Sequence, residues 1–281
     1  MIDPADPDQL ERLLRRHRVG LRHSLGQNFL VDPGIRDAVA HASGASSADE
    51  VLEVGAGVGT LTIALAGLCR RVVAIEIDPR LEAALREVTS DAGNVEIVRA
   101  DILRFDPAAA FPDGGELVAG NIPYNLTGAL IRKLLDRPPR PRRLALVVQK
   151  EVAQRWAATS GAGLSTVAVQ VYAEARVVLT IPAAAFTPVP RVDSALVILD
   201  VRDRPAVEVD DMDRFFRLVE SVFQHRRKQL GGALGRVAGI TSTESGGRVR
   251  GLGIDPTRRA QTLSLAEWEA VYRAFNPGLD R

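Results

Sequence analysis

One cysteine, Cys69, stands in 281 residues, so no disulfide can close within the chain. Four histidines, His17, His23, His41 and His225, show no metal-ligand spacing, and no metal is expected. No apolar run approaches the ~18 residues of a membrane span, and the opening MIDPADPDQLERLLRR lacks the basic-then-apolar order of a secretory signal. A cytoplasmic protein with no membrane partner is the expectation. Internal repeats and low-complexity tracts are missing too. So is an excess of either charge: 36 basic against 35 acidic residues leave +1, which by itself points to neither a nucleic acid nor a membrane. What remains is 46% hydrophobic and 25% charged, the composition of a soluble globular protein with room for one large domain and a smaller one.

From about residue 50 to 150, short β-branched runs alternate with helical patterns, the signature of βαβ units around a parallel sheet. The expected strands are 51–54, 72–76, 95–99, 117–119 and 144–149, most of them nearly all apolar, as strands covered on both faces should be. TLTIALAGL and DPRLEAALREV read as helices, the second with Asp78 as N-cap and Pro79 at its first position. Two further strands, 175–181 and 195–201, are expected to close the sheet as an antiparallel, hairpin-like pair. Charge and proline in DVRDRPAVEVDD then break the pattern, and DRFFRLVESVFQHRRKQLGGAL and SLAEWEAVYRAF carry helical spacing. This predicts an α/β domain over 1–206, including a basic N-terminal extension, and a small helical domain over 207–281. TSTESGG, 241–247, reads as an exposed loop.

The basic residues are clustered. Five arginines and no acid lie between Arg12 and Arg22; six basic residues against Asp136 alone lie between Arg132 and Arg143; Arg226, Arg227 and Lys228 form a third group. Any one could be a solvated face. Three suggest a polyanion, which needs several phosphate-neutralising points along its track.

VLEVGAGVGTLT places Gly55, Gly57 and Gly59 between a strand and a helix, where missing side chains let backbone approach a ligand at the sheet's edge. A dinucleotide fingerprint would need glycine where Thr60 stands, so the spacing favours S-adenosylmethionine over NAD. Glu76 ends the next strand, 21 residues after Gly55, where a carboxylate can accept from both ribose hydroxyls. Asp101, after the third, is placed for the adenine amine of that cofactor. NIPY, Asn121 to Tyr124, ends the fourth strand. The lone pair of an exocyclic adenine amine is delocalised into its ring, so the amine is a weak nucleophile. Acceptors aimed at its protons, here the Asn121 side-chain oxygen and the Ile122 carbonyl, can hold it ready for attack, with Tyr124 as a stacking platform. A base inside a helix could not reach such a pocket and must be splayed out. Phe186, on the proline-stiffened FTPVPRVDSA segment, is expected to cover the base's other face.

LGQNFLVD (Leu25 to Asp32), EVGAGVGTLT, NIPYN, QKEVAQR, FTPVPRVDSA, FQHRRKQL and IDPTRRAQTLSLAEW together resemble the small-subunit ribosomal RNA adenine dimethyltransferases, the KsgA/RsmA family, nearly end to end. The resemblance implies a Rossmann-like class I S-adenosylmethionine-dependent methyltransferase domain with a small helical C-terminal domain. It implies dimethylation of two adjacent adenosines in the loop of the 3′-terminal stem of 16S rRNA, within an assembling small ribosomal subunit, by what is expected to be a monomer. It also places cofactor contacts on Asn28, Leu30, Gly55, Glu76, Asp101 and Asn121; Gly57, from the glycine loop, joins them. Gly232 and Gln261 depart from the family's usual asparagine and glutamate. The alternatives are a large-subunit adenine methyltransferase of the macrolide-resistance type and a noncatalytic RNA-binding assembly or transcription factor.

Overall fold

The structure, a computed structural model, describes residues 2–20, 27–114, 116–124, 126–158 and 163–275. It divides into two compact units, Met1–Gln154 with Glu174–Val201, and Arg155–Ala173 with Arg202–Arg281. No described helix is long and apolar enough to cross a membrane, and no group of three or more potential metal ligands occurs among the described residues.

Nine strands are assigned: β1 Phe29–Leu30, β2 Glu50–Val54, β3 Arg71–Glu76, β4 Val95–Arg99, β5 Leu117–Asn121, β6 Arg143–Gln149, β7 Ala173–Ile181, β8 Phe186–Thr187 and β9 Ser194–Val201. Seven form one sheet in the order β4-β3-β2-β5-β6-β9-β7. β2 to β6 are mutually parallel and β9 runs antiparallel to β6. The last two strands therefore do close one side of the sheet. Val51, Leu52, Val72, Val73, Val118 and Leu144 are fully buried, because helices cover both faces of the central strands.

The strand order fixes where a ligand can sit. From β2 the chain builds outward through β3 and β4, then returns to add β5 on the other side of β2. The loops leaving β2 and β5 diverge at that reversal and open a crevice at the carboxyl ends of the strands. The glycine loop leaves β2 and the NIPY turn leaves β5, while Glu76 and Asp101 stand at the same edge, at the ends of β3 and β4.

Helices around the sheet start where capping residues stand. Asp78 accepts the Arg80 N–H, and Pro79 opens the helix Pro79–Val88 as expected. The basic N-terminal segment is itself ordered into a helix, Pro7–Arg16, whose Leu10, Leu13 and Leu14 pack against Leu81, Ala84 and Val88. Spacing of three and four residues puts those leucines on one face.

The second unit is helical, but its limits differ from the expected 207–281. It takes in Arg155–Ala173, whose helix Leu164–Tyr172 is bound through Tyr172, stacked 5.8 Å from Phe216. An apolar helix followed by a strand reads as one more βαβ piece from sequence alone; the aromatic partner is 44 residues further on and leaves no local trace. TSTESGG is also corrected. It forms the start of a helix, Ser242–Gly251, with Thr241 as N-cap accepting the Glu244 N–H. Its small residues serve close packing: a Cβ on Gly231, in the helix Leu230–Ala238, would lie 3.3 Å from Gly246 Cα.

Candidate active site

β2 delivers the glycine loop to the crevice. Gly55, Gly57 and Gly59 have φ of +73°, +60° and +92°, a region that side-chain-bearing residues rarely enter. The loop is held from the neighbouring strand: Gly55 and Ala56 donate to the Ile75 carbonyl at 2.9 and 3.0 Å, and Gly57 donates to Glu76 Oε2 at 2.8 Å. Glu76 Oε1 accepts the Asp78 N–H at 2.8 Å. Burial pushes the Glu76 carboxyl above its ordinary range, while the N–H groups of Asp78 and Gly57 oppose the shift. The Ile77 N–H addresses the same carboxylate; with about four lone-pair positions in all, one remains for a hydroxyl of a ligand.

β5 delivers the second half. Asn121 Nδ2 donates to the Asn28 carbonyl at 2.7 Å, tying the NIPY turn to the segment before β1. Because the two polar atoms of an amide diverge, this bond leaves Oδ1 on the side away from the Asn28 carbonyl, where no described donor meets it. Ile122 donates its N–H to the Val147 carbonyl at 3.0 Å, and no described donor addresses its own carbonyl. The Tyr124 hydroxyl lies 3.1 Å from the buried Ser194 Oγ, which anchors the ring by its far end. Gln27 Nε2 donates to Asp78 Oδ2 at 3.0 Å, and Arg80 Nη1 to the Gly20 carbonyl at 3.1 Å. The Arg80 guanidinium beside Asp78, helped by Gln27, holds that carboxyl down to about 2.

Asn28, Leu30, Gly55, Gly57, Glu76, Asp101, Asn121, Ile122 and Tyr124 all line one cleft. Phe186 does not. Its side chain is 2% exposed and sits in the hydrophobic core with Leu30, Ile181 and Leu196. The cause is the ladder in which β1 and β8 pair antiparallel, Leu30 with Phe186 and Phe29 with Thr187. That pairing fastens QNFL to FTPVP, and the ring is buried outside the residues that line the cleft.

Several cleft residues carry no sequence signal of their own. Ile77, 54% exposed directly after Glu76, and Leu103 supply the apolar walls that a planar ring would need. Glu53, on β2 beneath the glycine loop, is 1% exposed, and its Oε2 has no hydrogen-bond partner. Burial pushes its carboxyl up to about 7, with the Thr62 hydroxyl opposing and the Glu76 charge assisting. Glu53 therefore binds its proton more tightly folded than unfolded. The stabilisation is complete below the unfolded value of about 4.3 and is lost as pH rises through about 7. Glu53→Gln has no proton to lose, so it is expected to hold its stability between about pH 5 and pH 8 better than the parent, by roughly 3 kcal/mol. Urea unfolding at fixed pH values checks this; parallel pH profiles would exclude Glu53 as the titrating group.

The three basic clusters differ. In the first, Arg15 pairs with Glu11 and Arg16 with Glu87; Arg22 lies outside the described residues, as do Leu25 and Gly26 of LGQNFLVD and Asn125 of NIPYN. In the second, Arg132, Arg142 and Arg143 pair with Asp136, Asp49 and Asp200 at 2.9, 2.6 and 2.5 Å. Arg226, Arg227 and Lys228 are all exposed and form no ion pair among the described residues.

The cleft's donor set fits S-adenosylmethionine: a glycine cradle, a buried carboxylate with an acceptor position left, an apolar slot beside it, and the Asn121 amide in its lining. Comparison with known proteins agrees. The family model described as "Ribosomal RNA adenine dimethylase" matches residues 19–276. "Ribosomal RNA small subunit methyltransferase A" of Pelotomaculum thermopropionicum is 40% identical over 289 residues, 98% of each chain, and that of Geobacillus thermodenitrificans is 38% identical over 286 residues, again 98% of each. Among solved structures, the 23S rRNA methyltransferase ErmE is similar at a TM-score of 0.68 and 29% identity, covering 89% of this chain and all of that one. A dimethyladenosine transferase from Plasmodium falciparum shares the fold at a TM-score of 0.69 and 23% identity, covering 88% of this chain and 97% of its own. With a family match over nearly its whole length and relatives this similar over theirs, the chain belongs to the ribosomal RNA adenine dimethylases, enzymes whose methyl donor is S-adenosylmethionine.

Proposed function

We propose that this chain dimethylates the N6 amines of two adjacent adenosines in the 3′-terminal stem-loop of 16S rRNA, acting as a cytoplasmic monomer on a late assembling small subunit. The observation that carries the chemistry is the bond from Asn121 Nδ2 to the Asn28 carbonyl, because it occupies the amide's donor and leaves its oxygen to accept. S-adenosylmethionine supplies a methyl group on positively charged sulfur, an electrophile that needs no further activation. The protein's task is then to hold the amine. Asn121 Oδ1 and the Ile122 carbonyl accept its two protons and draw the nitrogen toward a pyramidal geometry with its lone pair exposed. Neither acceptor is a strong base, so the proton released after transfer passes to solvent. Tyr124 gives the base a face to stack on, and its bond to Ser194 keeps the ring from following the base out.

For the cofactor, Glu76 takes a ribose hydroxyl, Asp101 the adenine amine, Ile77 and Leu103 the ring faces, and the backbone around Gly55, Gly57, Asn28 and Leu30 the remainder. The unpaired Arg226, Arg227 and Lys228 suit the second unit to dock ribosomal RNA through phosphates, which position without reading sequence. Choice of the small subunit is supported by the names of the relatives at 38% and 40% identity. The test is to incubate the protein and labelled cofactor with undermethylated small subunits, large subunits and naked RNAs, and to map the modified bases. Label on two neighbouring adenosines of the small subunit is expected; label confined to large subunits would overturn the substrate, and RNA binding without transfer would favour a noncatalytic factor.

A further inference from the structure

Two segments that methyl transfer leaves unused meet beside the cleft: QKEVAQR, which begins where β6 ends, and Pro188–Asp193 between β8 and β9. The second is anchored at both ends to the cleft itself. Thr187, just before it, pairs with Phe29, a cleft-lining residue. Ser194, just after it, meets the Tyr124 hydroxyl at 3.1 Å and pairs with Gln149 at the end of β6. A six-residue span tied down at both of these points has to follow the cleft's rim.

Its side chains are unusual for a rim. Val189 is 66% exposed and Val192 46%, two of the few large apolar side chains left in water. Pro188 and Pro190 fix φ on either side of Val189, so the valine stands on stiff backbone. Arg191 is exposed beside it, and the Lys150 N–H donates to the Asp193 carbonyl at 3.0 Å, which brings a second cation to the same place. Neither cation has an ion-pair partner among the described residues. Asp193 directs Oδ1 to the Ala183 N–H at 3.1 Å. Lys150, Arg191 and Val192 share the wall of a groove of about 470 Å³ with the carboxylates of Glu151 and Asp193.

A stiffly mounted apolar tip flanked by unpaired cations matches a nucleic-acid strand better than a protein surface: apolar wedges enter base stacks, and cations hold phosphates. The methyl-transfer reading, on which this inference rests, requires the target base to leave its stack, at a cost of a few kcal/mol. The geometry points to Pro188–Asp193 as a strand-parting lip: Val189 fills the stack position that the extruded adenosine vacates, and Arg191 and Lys150 hold the phosphates of that same strand. Val189 is thus a positioning residue, acting on the substrate's shape and not on the reacting atoms.

The experiment uses small subunits carrying 2-aminopurine at a target position, whose fluorescence rises when the base unstacks. The parent protein is expected to brighten it. Val189→Ser should lose most of that gain and lower kcat/KM for unmodified subunits by about 10-fold or more, equivalent to about 1.4 kcal/mol, with melting temperature and cofactor affinity unchanged. The double variant Lys150→Ala, Arg191→Ala should reduce the slope of log Kd against log salt by about 1.4, since each single-strand phosphate contact contributes about 0.7. A Val189→Ser protein with the parent's fluorescence gain, or an unchanged salt slope in the double variant, would overturn the lip. Failure of the parent to transfer methyl groups would instead strike the functional reading, and the fluorescence signal, which needs no turnover, would still judge the lip.

Discussion

Asn121→Ala is expected to lower kcat for methyl transfer to small subunits by at least about 10²-fold, the usual cost of removing one preorganised polar group from a reacting centre. Two losses combine in this residue. The oxygen that accepts from the amine disappears, and so does the bond from Nδ2 to the Asn28 carbonyl that holds the NIPY turn against the segment before β1. Asn121→Asp separates them: it keeps an acceptor of the same shape, but its second oxygen faces the Asn28 carbonyl with no proton to share. If the acceptor alone matters, the aspartate variant retains much of the rate; if the tie matters, both variants fall and cofactor affinity falls with them. Single-turnover transfer from labelled cofactor reads the first effect and equilibrium cofactor binding the second. Since Asn121 is only half-buried, neither variant should melt far below the parent. Parent-like turnover by Asn121→Ala would remove the amine-holding role altogether.

The parts of the site that could be read in the sequence share a reason. Gly55, Glu76, Asp101 and Asn121 each stand at or just beyond the carboxyl end of a predicted strand, and in a parallel sheet those ends necessarily share an edge. Chain order along an alternating pattern is enough to bring them together. What escaped depended on contacts between distant segments. The pairing of β1 with β8 is two residues long in each strand, too short for periodicity to register, yet it decides that Phe186 faces the core. Arg155–Ala173 joins the second unit through the Tyr172–Phe216 stack. In Ser242–Gly251 the same small residues that mark an exposed loop also permit two helix backbones to touch, and only the partner, Gly231, distinguishes the two uses. Glu53 escaped because a carboxylate within an apolar run resembles an ordinary strand position until its burial is known.

Gly120 shows the same limit and carries the largest expected effect on stability. It is the residue before Asn121 on β5, and a Cβ there would lie 2.4 Å from the Val54 carbonyl oxygen and 3.0 Å from Ile122 Cδ1. The obstruction is backbone that cannot step aside. Val54 is locked to Ile75 on the opposite side by the parallel ladder, and Glu53 beside it is paired with Ala119. Gly120→Ala must therefore break ladder pairing at the crevice or push β5 outward. The expected loss is about 3 kcal/mol or more, at the upper end for an overpacked core, or roughly 10 °C in melting temperature for a unit of this size. Whatever fraction stays folded carries a displaced Asn121, and a shift of about 1 Å at a positioning group costs about 10²-fold in rate. Gly232→Ala is the control: it lies in the helix Leu230–Ala238, its Cβ would meet nothing within 4 Å, and alanine there should be neutral or stabilising by up to about 1 kcal/mol. Thermal unfolding and single-turnover transfer on both variants decide the matter. If Gly120→Ala melted with the parent and transferred at its rate, β2 and β5 would have slack at the point where they part, and the fixed placement of the NIPY turn would have to come from elsewhere.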